Sequence, residues 1–382
     1  MKHPQHAFVI GDMDLVAPLG LAGIDCVAVA GASEPTRWSR YVCRSIDELD
    51  SWADNEAMAD RLVEEAEREA TPPVLFYQSD PSELMVSRYR ERLGTSMRFV
   101  IPDETLVEDL VDKSRFAELA ARTGLDVPIT VTLTAGTPLP PEHELPFPLV
   151  VKPSLRRSEA WKPAAGRAKA IEVDTYAELV ELWRDFDRAG VDIVAQEIVP
   201  GPETAIESYH VYVDESGAIA GEFTGRKIRT RPADFGISTA VEVVELPDVL
   251  RAGRDVIERI GLTGVAKLDF KRRPNGTLAL LEINARFSLW HYPGAVAGVN
   301  LPALVYADLT GEPRPAVKPV RRAVRWVKPW HDAMAARAAG MSLAAWVRFV
   351  GTAETRSAVT LRDPMVILGA AFYGVRLALG AE

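Results

Sequence analysis

Residues 265–270 and 278–284 are two runs of alternating apolar and polar residues, joined by Lys271-Arg272-Arg273-Pro274-Asn275-Gly276-Thr277. The Asn-Gly pair predicts an antiparallel hairpin turning between Asn275 and Gly276. In that register Asp269 faces Glu282 and Lys267 faces Asn284, with cross-strand Cβ separations of roughly 5 Å. Side chains alternate across a sheet, so Ala266, Leu268, Phe270, Ala279, Leu281 and Ile283 fall on the opposite, apolar face. Two carboxylates held that close repel unless a cation lies between them. The oxygen donors of Asp269, Glu282 and Asn284 suit Mg²⁺, which uses one or two carboxylates together with substrate phosphates. A solvated strand pair with scattered charges is the alternative, because Pro274 cannot donate to the ladder and an odd-length loop breaks the register.

A chain of 382 residues exceeds the size of one growing core, so two or more domains are expected. With 44 Lys plus Arg against 54 Asp plus Glu, the net charge of −10 argues against a general nucleic-acid binder. Cys26 and Cys43 offer neither a disulfide framework nor metal-ligand spacing, which fits a reducing cytoplasm and two buried small hydrophobes. The start of the chain lacks a secretory pattern, since Gly11-Asp12-Met13-Asp14 interrupts the apolar run 7–10. Residues 365–381 come nearest to a membrane segment, but Arg376 and the glycines leave no span, and a docked C-terminal helix is expected.

Strand-like runs at 7–10, 26–30, 74–77 and 99–101 alternate with segments of helical length, predicting a small parallel α/β sheet. The turn after the first run lacks G-x-G-x-x-G, so a dinucleotide-binding dehydrogenase is not supported. Asp112 caps a helix that carries Phe116, Leu119 and Ala120 inward and is closed by Gly124 and Pro128. After the proline-rich stretch 137–148 come a strand ending in Lys152-Pro153, a charged loop at 154–169 and a strand at 170–173. A helix at 176–189, a strand at 191–195, a strand-rich block at 203–245 and a helix at 248–260 lead to the hairpin. Beyond Trp326 the chain turns helical and rich in Ala and Arg, with packing, a lid or a subunit contact all open as roles.

Five elements occur in order: Asp112-Lys113, Val150-Val151-Lys152-Pro153, the run from Gln196 to Glu203, Lys267-Leu268-Asp269, and Glu282-Ile283-Asn284-Ala285-Arg286-Phe287. Together they resemble the ATP-grasp superfamily, specifically its carboxylate–amine ligases, and look most like the D-aspartate ligase branch. The resemblance implies α/β and α+β architecture: an N-terminal parallel α/β (pre-ATP-grasp) domain at 1–110 and an ATP-grasp domain at 111–325. The latter divides into two α+β lobes clasping ATP, 111–195 and 196–325, followed by a C-terminal helical extension at 326–382.

The same resemblance implies an ADP-forming ligase in which an acyl phosphate is attacked by an amine to give an amide. Lys113 and Lys152 would neutralise phosphates of ATP; an opposite charge at about 4 Å contributes on the order of 4 kcal/mol at an effective dielectric of 20. Gln196, Glu197 and Val199 would form the adenine-facing hinge, with the Glu197 carbonyl and the Val199 amide on the base and Glu203 on the ribose. Asp269, Glu282 and Asn284 would hold one or two Mg²⁺, with Mn²⁺ able to stand in, while Lys267 and Arg286 stabilise the transferring phosphoryl group. The partners implied are a small-molecule carboxylate and amine, with no nucleic acid, no membrane span and a homodimer.

Two departures from the family pattern stand out. Lys267 occupies a position more often held by Arg, and a Lys cannot make the planar fork. The loop 154–169 has Gly166 as its only glycine where relatives carry a glycine-rich phosphate cover; here Arg156, Arg157, Lys162, Arg167 and Lys169 would serve instead, or the loop is simply solvated. Arg226 and Arg229 are candidates to grip a substrate carboxylate, against a solvated strand edge. Trp290-His291-Tyr292 either lines the substrate pocket, making His291 a candidate contact, or belongs to the core. A different acceptor, bicarbonate or a phosphorylated metabolite, and a nucleotide-binding regulatory protein without turnover are the competing functions.

Overall fold

The computed structural model describes residues 3, 5–49, 53–154, 161, 170–320, 322–357 and 363–369. A parallel sheet of order β3-β2-β1-β4 opens the chain, built from β1 (Ala7–Ile10), β2 (Cys26–Ala30), β3 (Val42–Asp47) and β4 (Val74–Tyr77). The strands β1, β2 and β4 are buried along their whole length, as expected of parallel strands covered on both faces, so they read as continuous apolar runs. The edge strand β3, with sequence VCRSID, is half solvated and gives no such run. It takes the place expected for 99–101, where Arg98 makes only an isolated bridge to Val74. Cys26 is buried, but Cys43 on this edge is exposed, against the expectation that both are buried; both thiols are free.

The second sheet is antiparallel, of order β5-β8-β6-β7, from β5 (Thr130–Leu133), β6 (Leu149–Pro153), β7 (Ile171–Val173) and β8 (Ile193–Glu197). The helix Tyr176–Arg188 starts with a capping box between Thr175 and Glu178 and lays Leu179, Trp183 and Phe186 on Leu149, Val151 and Ile193. Each such fully buried side chain contributes roughly 1.5–3 kcal/mol.

The third sheet, of order β13-β12-β9-β10-β11-β14-β15, carries the predicted hairpin. Its strands are β9 (Ile206–Val213), β10 (Ile219–Arg231), β11 (Ile237–Val243), β12 (Gly264–Arg272), β13 (Leu278–Asn284), β14 (Val324–Val327) and β15 (Thr355–Arg356). The segment beyond Trp326 is therefore not helical alone. It holds the helices Pro329–Ala338 and Leu343–Thr352, yet β14 and β15 extend the large sheet. Asp14 of the first helix accepts hydrogen bonds from Trp326 Nε1 and Ser357 Oγ, both over 2.7 Å, tying this segment to the N-terminal sheet. Val366 is buried in the core shared with that sheet, while the rest of the expected terminal helix, 370–381, lies outside the described residues.

The hairpin reaches the expected pairing by an unexpected route. The turn holds Arg273 against Thr277, with Gly276 at φ +86°, so three residues rather than two make the connection. Pairing then runs Arg272 with Leu278 and Phe270 with Leu280, one residue out of the predicted register. A bulge at Leu281 restores it, and Asp269 faces Glu282 while Lys267 faces Asn284. Leu280, not Leu281, consequently joins Ala266, Leu268, Phe270 and Ile283 in the core.

Candidate functional site

The four-stranded antiparallel sheet, the seven-stranded sheet and the rim of the parallel sheet enclose a cavity of about 1110 Å³. Its wall includes Lys113, Lys152, Gln196, Glu197, Val199, Glu203, Lys267, Asp269, Glu282, Asn284 and Arg286. These positions come from two sheets, a helix start and the loops between them, and are as far apart as 113 and 286 in the chain, yet they converge on one space.

On the large sheet, Lys267, Asp269 and Lys271 share one face of β12 at every second position. Asp269 is buried; its Oδ1 accepts from Ser208 Oγ of β9 and its Oδ2 from Lys267 Nζ at 2.6 Å, with Lys227 Nζ at 3.9 Å. Lys267 also lies 3.8 Å from Glu282 Oε1, so its ammonium stands between the two carboxylates. Asn284 donates to Glu282 and accepts from Arg286, each over 3.1 Å. Glu282 projects into the cleft with its side chain 57% exposed. Desolvation by the surrounding protein pulls its pKa up, but Lys267, Lys227, the Asn284 amide and Lys152 outweigh it and hold the carboxyl below the usual range.

Across the cleft, Asp112 accepts from the amides of Ser114 and Arg115 and from Ser154 Oγ, which fixes Lys113 at the helix start. Lys113 Nζ donates to the Ser154 carbonyl over 3.5 Å. Lys152 Nζ donates to Gln196 Oε1 over 2.8 Å. Burial pushes the Lys152 ammonium down to about 8, Lys113 and Lys227 pushing the same way and Glu282 and Glu203 opposing. At the hinge, the Glu197 carboxylate accepts the Ile129 amide over 3.1 Å, a donor the ladder would otherwise hand to the Glu197 carbonyl. Glu203 sits 3.8 Å from Lys271.

Three expected contacts are not brought to the cavity. Arg226 pairs with Glu242 of β11 outside the cavity lining and is half exposed. Arg229 is turned away by a register shift after Lys227 and forks onto buried Asp332 over 2.7 and 2.8 Å, stacking on Phe349. His291 is buried with Nδ1 against the Ser288 backbone, and burial pushes its ring down to about 4. These side chains are committed to their own chain, so the substrate contacts expected of them are withdrawn.

Lys227, between these two arginines in sequence, lines the cavity instead. The alternation Phe223, Gly225, Lys227 signals its face, and Gly225 is required there because a Cβ would come within 2.3 Å of the Trp290 ring. The period-two spacing of Lys267, Asp269 and Lys271 likewise signals Lys271. Asp12, Gln78, Asp80 and Glu83, from the rim of the parallel sheet, also line the cavity and gave no local signal. The basic loop residues Arg156, Arg157, Lys162, Arg167 and Lys169 lie outside the described residues.

The oxygen donors Asp269, Glu282 and Asn284 fit a hard divalent cation, since two carboxylates and an amide meet on adjacent strands with lysines at hand for the remaining phosphate charge. Among the described residues no group of three or more His, Cys, Asp or Glu converges as an all-protein cage. Such a pair of carboxylates suits an ion that arrives with a phosphate ligand.

Residues 191–329 match the family model described as ATP-grasp in the biosynthetic pathway with Ter operon. The D-aspartate ligase of Enterococcus faecium is 27% identical over 237 residues, 59% of this chain and 55% of that protein. A D-alanine–D-alanine ligase of Pseudomonas putida is 27% identical over 218 residues, 52% of this chain and 63% of that protein. The chain thus spans a little over half the length of these curated relatives. Among solved structures, the ADP complex of an N5-carboxyaminoimidazole ribonucleotide synthetase superposes with a TM-score of 0.66 at 12% identity, covering 89% of this chain and 86% of that one. The L-amino acid ligase from Bacillus licheniformis superposes with a TM-score of 0.63 at 18% identity, covering 85% and 80%. Fold, ordered motifs and sequence relatives agree: residues 191–329 match an ATP-grasp family model, and the chain is similar in sequence to D-aspartate and D-alanine–D-alanine ligases.

Proposed function

We propose that the protein is an ATP-dependent, ADP-forming carboxylate–amine ligase. The observation that carries this is the convergence of Lys113, Lys152, Lys227 and Lys267 on the Asp269–Glu282 pair within one cavity. Such a charge arrangement suits a triphosphate whose terminal group is transferred.

Lys113 and Lys152 neutralise phosphate oxygens from the small-sheet side, and Lys227 and Lys267 from the large-sheet side. Asp269, Glu282 and Asn284 would hold Mg²⁺, which would supply positive charge against the terminal phosphates. Ser208 and Lys267 fix the orientation of Asp269. Arg286, braced by Asp80 at 2.6 Å and by Asn284, stands beside the transferring group. The hinge from Gln196 to Val199 presents backbone groups to the adenine, and Glu203 faces the ribose. The substrate carboxylate takes the terminal phosphoryl group; an amine then attacks the acyl carbon of the resulting acyl phosphate, forming the amide and displacing inorganic phosphate.

Incubation with Mg·ATP, hydroxylamine and amino acids of both chiralities tests the assignment. A hydroxamate together with ADP and phosphate is expected. AMP with pyrophosphate would contradict it, and a bicarbonate-dependent ADP release without hydroxamate would move the protein to the carboxylases.

A further inference from the structure

The end of the cavity nearest the parallel sheet has a different chemistry from its lysine-rich centre. Asp12, Gln78, Asp80 and Glu83 line it. Gln78 is consumed locally, its Oε1 accepting the Asp12 amide and its Nε2 donating to Asp12 Oδ1. Asp80 is engaged by Arg286. Glu83 differs from both. It lies in the first turn of the helix Asp80–Arg88, held by the Ser79–Ser82 capping box, with its side chain 1% exposed. Its Oε2 is 3.9 Å from Arg286 Nε, too far for a hydrogen bond, and its Oε1 has no partner among the described residues.

A buried carboxyl oxygen without a donor costs about 1–3 kcal/mol, so its retention in a cavity wall calls for an incoming donor. Arg286 joins Glu83 to Asn284, placing this carboxyl two side chains from the phosphoryl-transfer centre. A cation with N–H donors fits that position, with the Asp80 carboxylate beside it and Asp12 in the same cavity wall.

We propose that Glu83 receives the attacking amine as an ammonium ion and takes its proton. The step rests on the ligase assignment above. The ammonium gives one proton to the Glu83 carboxylate. The freed nitrogen lone pair forms the C–N bond to the acyl carbon, and the acyl C–O bond breaks with its electron pair leaving on phosphate. The second amine proton departs with that phosphate as hydrogenphosphate. Burial, opposed by Arg286 and aided by Asp80, lifts the Glu83 carboxyl to about 8; the arriving ammonium, an opposite charge, favours the carboxylate, which releases its own proton to solvent before taking the amine's. The ionisable groups facing it are Tyr77, Asp80 and Arg286.

Glu83→Gln and wild-type protein are to be compared with Mg·ATP and the acids that wild type converts to hydroxamates, in two arms. One uses hydroxylamine, which is neutral at pH 7 and needs no base. The other uses a mixture of L- and D-amino acids as amines, read as phosphate release above the rate without added amine. The hydroxylamine rate should stay within about threefold, while the amine-dependent rate falls about a hundredfold and recovers as pH rises toward the amine's own pKa. An unchanged amine-dependent rate in Glu83→Gln, or its absence in wild type, overturns the role of Glu83. Equal loss in both arms with an unchanged melting temperature also overturns it, assigning Glu83 to phosphoryl transfer. Absence of hydroxamate in wild type refutes the ligase assignment itself.

Discussion

Lys267 Nζ lies 2.6 Å from Asp269 Oδ2 on the same face of β12, and the neighbouring Glu282 is within 3.8 Å of the same ammonium. The lysine keeps two close carboxylates from repelling each other, and Asp269 is the pivot that Ser208, Lys227 and Lys267 all address. Asp269→Asn should lower ATP-dependent phosphate release about 10²–10³-fold, the scale of losing one preorganised electrostatic contact. Single-turnover ADP formation measures it, and a loss under threefold would detach Asp269 from the chemistry.

Lys152 carries a folded-state pKa of about 8 against 10.5 for an ordinary lysine. The folded protein therefore binds fewer protons than the unfolded chain between those values, and the destabilisation, complete below pH 8, is relieved as pH rises toward 10.5. Lys152→Met should stabilise the fold by about 2 kcal/mol at pH 7, discounted for the open cleft, with the gain shrinking in alkali. Urea melts at pH 7 and 10 check the sign. In wild type, KM for ATP should rise above pH 8 as the ammonium is lost.

Lys227 and Arg226 are neighbours in sequence but face opposite ways. Lys227→Met should raise KM for ATP by about tenfold to a hundredfold, the range of one partly desolvated charge contact. Arg226→Met removes only an exposed ion pair and should change stability by less than about 1 kcal/mol, with kinetics unaltered. Steady-state kinetics of the two variants side by side separate these outcomes.

Arg229 and Asp332 form a buried fork, and Thr239 and Trp346 also donate to Asp332. Arg229→Met strands that carboxylate and should cost about 3–5 kcal/mol of stability. Acceptor preference in the folded fraction should not change. A shifted acceptor profile with an unaltered melting temperature would restore Arg229 to the substrate pocket.

The bulge at Leu281 gives β13 one residue more than the stretch of β12 it pairs with. Deleting Leu281 leaves Glu282 opposite Asp269 and Asn284 opposite Lys267 in an unbroken ladder, so ATP turnover should be retained; its loss would show that the local bend of the bulge, not the register, positions Glu282. Gly276→Ala meets only the left-handed turn conformation and should cost about 1 kcal/mol with activity retained. Circular dichroism melts with activity assays check both.

The motifs on strands were legible because alternation and turn residues report which face a side chain takes. Asp269 faces Glu282 and Lys267 faces Asn284 as expected, even though the turn and the bulge were each unforeseen; their one-residue offsets cancel. Where a local irregularity did not cancel, as in the register shift after Lys227, the expectation for Arg229 failed. Glu83, Asp80 and Gln78 reach the cavity only through packing of the parallel sheet against the large one, and no local pattern encodes that long-range contact. The edge strand β3 and the sheet membership of β14 and β15 were hidden for a related reason, since edge strands carry weak alternation and draw their partners from distant sequence.

The central claim is that an ATP phosphoryl group passes through the acid's own carboxylate. With an acid identified by the hydroxamate screen and labelled with ¹⁸O in its carboxyl group, phosphate recovered after one turnover should contain one labelled oxygen, read by ³¹P NMR isotope shift. Phosphate free of label, with both labelled oxygens left in the acid or one carried into AMP, would contradict it.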